Sequence, residues 1–167
     1  MMTPPIYMDR LVSPTSLVAI RDMKMSKFTD PSRLDSFFNP RRIVIVGASE
    51  RGMYPAGILC NLLEYGYSGD IYPVNPKRQT VFGLPCYPDV TQTPQRADVA
   101  ILTIPRRAVL STLRQCLDVG IPAALIITAG FAEADKEGRR LQDEMTIILE
   151  DAPLTVVGPN CAGLANI

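Results

Sequence analysis

Five short stretches hold the residues best suited to chemistry: Gly47-Ala48-Ser49-Glu50-Arg51-Gly52, Asn75-Pro76-Lys77, Pro105-Arg106-Arg107, Thr128-Ala129-Gly130 and Gly158-Pro159-Asn160-Cys161. Small, polar and basic side chains dominate them. Each follows a run of branched apolar residues, such as "IVIV" before the first and "VAILTI" before the third. A glycine-bearing turn that opens a helix presents backbone N–H groups to phosphate. Five such turns side by side suit a long, phosphate-bearing ligand. The glycines of the first turn, Gly47, Gly52 and Gly57, do not match G-x-G-x-x-G, because Ala48 and Ser49 follow Gly47 directly. Such a glycine equally serves a plain strand-to-helix connection.

The second turn discriminates better. NAD-binding folds usually place Asp or Glu after the second strand to hold the ribose hydroxyls. This chain has Asn75, Pro76, Lys77 and Arg78 there. Cations in place of a carboxylate favour a ligand with an extra phosphate, a property shared by NADP and coenzyme A. A solvated surface lysine is the plainer alternative for Lys77 alone.

Composition removes other chemistries. The chain has 167 residues and no histidine, so histidine acid–base catalysis, histidine metal ligation and phosphohistidine are excluded within it. Lysine plus arginine and aspartate plus glutamate number 17 each, and no basic run exists, which argues against a nucleic-acid partner. Cys60, Cys86, Cys116 and Cys161 form no C-x-x-C pair and read as reduced thiols of a cytoplasmic protein. Cys161 suits a small buried position near a strand end better than a nucleophile. Glu133 and Asp135 suit a helix start, where carboxylates meet the dipole. Tyr65, Tyr67 and Tyr72 read as packing residues with polar edges.

The elements that must position these residues alternate. Continuous branched runs at Arg42–Val46, Val99–Ile104, Ala123–Ile127 and Leu154–Val157 fit strands buried on both faces. Asp70–Val74 is another strand, shortened or near its end because of Pro73. Apolar residues at helical spacing follow from Ile58 to Gly66, from Val109 to Gly120 and from Leu141 to Leu149. Residues 75–94 hold four prolines and read mostly as loop, with a short extended piece near Thr80–Phe82. This order predicts a doubly wound, Rossmann-like α/β domain: a parallel sheet of about five strands with helices on both faces. Residues 1–36 read as a flexible leader and 37–167 as the folded domain. "LVSPTSLVAI" is broken by Pro14 and two serines and is no signal peptide, and no run of about 20 apolar residues predicts a membrane span.

Six blocks now combine: "FFNPRRIVIVGASE", "GDIYPVNPKR", "GLPCYPDV", "ADVAILTIP", "ALIITAGFAE" and "VVGPNCAGLANI". In order and with few gaps, they resemble the CoA-binding domain of the NDP-forming acyl-CoA synthetases. These comprise the ADP-forming acetyl-CoA synthetases and the succinyl-CoA synthetase α subunits. The resemblance implies that Gly47, Ala48 and Ser49 to Gly52 form the CoA phosphate loop. It implies that Asn75 and Lys77 meet the nucleotide part, and that Ile104, Pro105 and Arg106 line the CoA path. Thr128, Ala129 and Gly130 would form the next wall, with Asn160 and Cys161 near the thiol. Arg106 and Arg107 depart from the smaller residues common there. The family continues into a second α/β domain and an ATP-grasp module, which carry the phosphohistidine, ATP/ADP and Mg. The resemblance therefore implies a CoA-binding module without ligase activity of its own, partnered by coenzyme A or acyl-CoA and by neighbouring ligase and ATP-grasp domains or a subunit. Two other classes stay open: an NAD(P)-binding domain of an oxidoreductase or redox sensor, and a non-catalytic CoA-responsive regulatory module.

Overall fold

Alternate residues of each central strand point to opposite faces, and here both faces are apolar. The computed structural model describes residues 32–164. After helix α1 (Ser32–Phe38) come strand β1 (Arg42–Val46) and helix α2 (Met53–Glu64). Strand β2 (Asp70–Val74) leads into a small hairpin of β3 (Thr80–Val81) and β4 (Leu84–Pro85), then a single turn of 3-10 helix at Val90–Gln92. Strand β5 (Val99–Leu102), helix α3 (Arg106–Asp118), strand β6 (Ala123–Ile126), helix α4 (Lys136–Leu149) and strand β7 (Thr155–Val157) complete the chain order.

The main sheet is five-stranded and parallel, in the order β2-β1-β5-β6-β7. The expected doubly wound α/β architecture is therefore present. Val44, Val46, Ala100, Leu102, Ala124 and Ile126 pack against Val109, Leu113 and Cys116 of α3 and Leu141 and Met145 of α4. Ile43, Ile45, Val99 and Leu125 face the other way, toward Phe37 of α1 and Leu59 of α2. Fully burying one such side chain stabilises the fold by about 1.5–3 kcal/mol.

The chain leaves β1 in opposite directions to β2 and, through the hairpin, to β5. Strand order thus reverses between β1 and β5, where a crevice opens beyond the carboxyl ends. Gly47 permits the exit from β1. Its φ is +89°, and a Cβ there would lie 2.7 Å from the Thr103 carbonyl oxygen.

Several boundaries differ from the sequence expectation. Pro73 does not shorten β2, because β2 is an edge strand and its missing N–H faces no partner. Strand β5 ends at Leu102, which frees Thr103 and Ile104 for the crevice. The extended piece near Thr80 is half of a hairpin, closed through Phe82 (φ 48°) and Gly83 (φ 77°). Most of the leader expected over 1–36 lies outside the described residues, although from Ser32 onward its last residues enter α1. "LVSPTSLVAI" lies wholly outside them. Among the described residues no helix is long and apolar enough to cross a membrane.

Candidate functional site

The turns at the carboxyl ends are cross-tied in sheet order by their own polar groups. Asn75 donates from Nδ2 to the Ala48 carbonyl at 2.9 Å. The Thr103 hydroxyl donates to the Val46 carbonyl at 3.0 Å, and the Thr128 hydroxyl to the Ile104 carbonyl at 2.7 Å. The Asn160 N–H donates to the Thr128 carbonyl at 3.0 Å. Asn160 adopts φ 57°, a left-handed conformation that asparagine tolerates better than most residues. These bonds satisfy backbone groups that strand ends leave over, and they link the turns of the rim to one another.

Two cavities open along this rim. One, of about 530 Å³, lies between the turn after β2 and helix α3, and includes Gly47, Asn75, Lys77 and Pro105 in its wall. The other, of about 370 Å³, is walled by Tyr54, Thr128, Ala129, Asn160 and Cys161. Thr103 and Ile104 belong to both. The two therefore share a wall at the switch point, and a ligand path across the sheet would run through both.

Most of the expected site residues line this path, and several do not. Ala48 is fully buried, and its N–H shares the Val74 carbonyl with that of Gly47. Ser49 Oγ accepts from the Arg51 N–H at 3.1 Å. Glu50 turns away toward the hairpin, where Oε1 accepts from the Phe82 N–H at 3.0 Å. Gly52 is the N-cap of α2 and supplies no side-chain cap; the first turn contains no acidic residue. That helix start keeps unsatisfied N–H groups near the crevice. Arg106 is committed elsewhere: its guanidinium donates to the Gly130 carbonyl at 2.6 Å and to Asp135 at 2.9 Å. Gly130 itself borders that bridge and not the cavities. Lys77 is exposed and enters no ion pair among the described residues, while its N–H donates to Asn75 Oδ1 at 3.0 Å.

The two acidic candidates divide. Asp135 caps α4 through the Gly138 N–H at 2.7 Å, as a helix start requires. That bond, with the Arg106 contact, holds its carboxyl below the usual range. Glu133 precedes the helix and instead accepts from the N–H groups of Gly130 and Phe131, the first of which lowers its pKa most. Among the tyrosines, Tyr72 is buried and stacks edge-on with Tyr87, and Tyr67 donates to the Pro40 carbonyl. Tyr65, at 85% exposure, packs against nothing of note, contrary to expectation. Cys161 is half-buried in the cavity wall, not sealed in the core. Cys116 is the sealed one, and burial pushes its thiol up to about 12. Sequence reading missed Tyr54, Pro55 and Thr103, and with them the α3 residues Ser111, Thr112 and Gln115. Thr103 was hidden inside an apparent strand, and the helical residues have no signal besides their place on one face.

A model of the CoA-binding domain family matches residues 41–167. The chain belongs to that family. A trans-feruloyl-CoA synthase from an unknown prokaryotic organism is 42% identical over 135 residues, covering 80% of this chain and 19% of the relative. The α subunit of acetate–CoA ligase (ADP-forming) II from Pyrococcus furiosus is 39% identical over 134 residues, covering 80% and 29% respectively. An acetyl-coenzyme A synthetase from Ca. Korarchaeum cryptofilum superposes with a TM-score of 0.70 at 38% identity, over 76% of this chain and 28% of that one. The CoA-binding domain and its fold are thus those of ADP-forming acyl-CoA synthetases. It spans between about a fifth and three tenths of the length of these relatives.

Proposed function

We propose that this CoA-binding domain lays coenzyme A along the two adjoining cavities, as the CoA-seating module of an ADP-forming acyl-CoA synthetase. The observation that carries this is the wall the cavities share at Thr103 and Ile104, at the switch point. The nucleotide end lies beside Lys77, whose free ammonium offsets phosphate charge. The open N-terminus of α2, after Ser49 to Gly52, attracts the diphosphate. The pantetheine arm passes Ile104 and Pro105 and reaches the wall of Thr128, Ala129, Asn160 and Cys161. These residues bind and orient the thiol for attack on an acyl phosphate. With no histidine in the chain, phosphoryl transfer, ATP/ADP and Mg belong to partner ligase and ATP-grasp domains or a subunit. The module comprises residues 37–167 and works in the cytoplasm, where its four free thiols stay reduced.

A nicotinamide dinucleotide is disfavoured by one specific observation. The position after β2, where such folds place an Asp or Glu for the ribose hydroxyls, holds Asn75, whose amide is engaged with the Ala48 carbonyl and the Lys77 N–H. Calorimetric titration of the purified chain with CoA, NAD and NADP in one buffer tests the proposal. Saturable binding of CoA alone supports it. Binding of a nicotinamide cofactor without CoA overturns it.

A further inference from the structure

Hydroxyl residues inside helices commonly return their proton to a carbonyl one turn back. Ser111 does so toward Ala108 at 2.9 Å, and Thr146 toward Gln142 at 3.0 Å. The hydroxyl of Thr112, next to Ser111 on α3, makes no hydrogen bond. Yet at 7% exposure it is the one buried polar side chain among the described residues. Its oxygen is not sealed off, since the buried side-chain polar atom left without a partner among the described residues is Arg42 Nε; a ligand that displaces water from the Thr112 hydroxyl must therefore return a hydrogen bond to it. Thr112 lies in the wall of the nucleotide-end cavity. Three residues on, and so on the same helical face, half-buried Gln115 lines that cavity with its amide also unpartnered.

The remaining wall is of two kinds. Pro76, Pro88 and Ala108 offer flat or small apolar surface. Of the other polar groups, Asp89 is engaged with Thr91 and Gln92, and Asn75 with Ala48 and the Lys77 N–H, while the Lys77 ammonium stays unpaired among the described residues. An apolar slot of about 530 Å³ is within the range of ligand pockets, roughly 300–1,000 Å³. With one hydroxyl and one amide free at its side, it suits a flat heteroaromatic ring that carries donors and acceptors on its edge. A carboxamide pairs well with the adjacent amino group and ring nitrogen of adenine.

We propose that Thr112 and Gln115 form a base-recognition subsite on α3, which takes the adenine of the ligand and reads its edge. The assignment rests on the CoA proposal and adds the residues that select its base. Lys77, in the same wall, then holds the phosphate next to that base.

The test titrates the full chain and its Thr112→Val, Thr112→Ser and Gln115→Leu variants with three probes: CoA, adenosine bisphosphate, which lacks the pantetheine arm, and phosphopantetheine, which lacks the base. Melting curves establish that each variant is folded. Thr112→Val and Gln115→Leu should each weaken CoA and adenosine bisphosphate by up to about tenfold, the scale of one hydrogen bond. Thr112→Ser, which keeps the hydroxyl, should restore most of the loss, and phosphopantetheine should be unaffected. Unchanged CoA binding in both Val and Leu variants overturns the subsite while leaving the CoA seat intact. An equal loss for phosphopantetheine overturns it too, because the effect would then be structural. If the natural chain binds adenosine bisphosphate with this variant pattern but not CoA, the subsite stands and the CoA proposal falls. If it binds none of the three, both fall.

Discussion

Asn75 donates from Nδ2 to the carbonyl oxygen of Ala48 at 2.9 Å, so one side chain ties the turn after β2 to the turn after β1. Its Oδ1 accepts from the Lys77 N–H at 3.0 Å, which also fixes the backbone that carries the lysine. Asn75→Ala removes both bonds at a half-buried position. At about 0.5–1.5 kcal/mol per bond, the fold should lose roughly 1–3 kcal/mol. Chemical denaturation measures this. CoA affinity should fall with it, since two walls of one cavity are no longer held together. Asn75→Asp keeps the acceptor for Lys77 but loses the donor to Ala48, so it should fall between the two.

Lys77 supplies charge and no scaffold. It is exposed and enters no ion pair among the described residues, so Lys77→Ala should leave the melting temperature nearly unchanged. CoA affinity should drop by roughly 1–3 kcal/mol, the scale for hydrogen bonds to charged groups. The loss should shrink at high salt, because exposed charges are screened. An affinity that is equal in mutant and natural chain at low salt would remove Lys77 from the ligand's path.

The sheet was legible in the sequence because its central strands are buried on both faces, so their signal is an unbroken branched run such as Ile43 to Val46. The hairpin at Thr80–Pro85 was not, since two-residue strands carry no period and Phe82 is an unusual residue at positive φ. The site was legible where chain order alone sets it, at Lys77, Thr128 and Asn160 just past their strands. It was illegible where tertiary hydrogen bonds decide which way a side chain points. Glu50 and Arg106 sit in the right turns, yet Phe82 in one case and Gly130 with Asp135 in the other draw them off the path. Thr112 and Gln115 gave no signal beyond their place on one helical face, because only the approach of the turn after β2 turns that face into a cavity wall.

Asp89 makes stability depend on pH in a definite direction. Its carboxylate caps the 3-10 turn, and hydrogen bonds from Thr91 first, then Gln92, hold its pKa below the usual value. A folded pKa below the unfolded one, about 3.9 for Asp, means that the unfolded chain binds the proton more readily. The contribution is therefore fully present above that value and is lost as pH falls through the folded pKa. Asp89→Asn should flatten this part of the acid-unfolding curve and leave the slope near neutral pH unchanged. A mutant whose acid limb overlays that of the natural chain would show that the cap adds nothing.

Cysteine labelling reports the thiol end of the path directly. Cys161 is half-buried in the cavity wall, whereas Cys116 lies sealed on the buried face of α3 with its thiol pushed up to about 12 by burial. The thiolate is the reactive form, so Cys116 should resist iodoacetamide near pH 8 in the folded chain. Cys161 should react, and saturating CoA should slow it severalfold if the pantetheine arm covers that wall. Adenosine bisphosphate, which ends before the arm, should bind without protecting it. Peptide mass mapping separates the four cysteines. Protection by adenosine bisphosphate as strong as that by CoA would place the nucleotide at the Cys161 end and reverse the ligand's direction across the sheet.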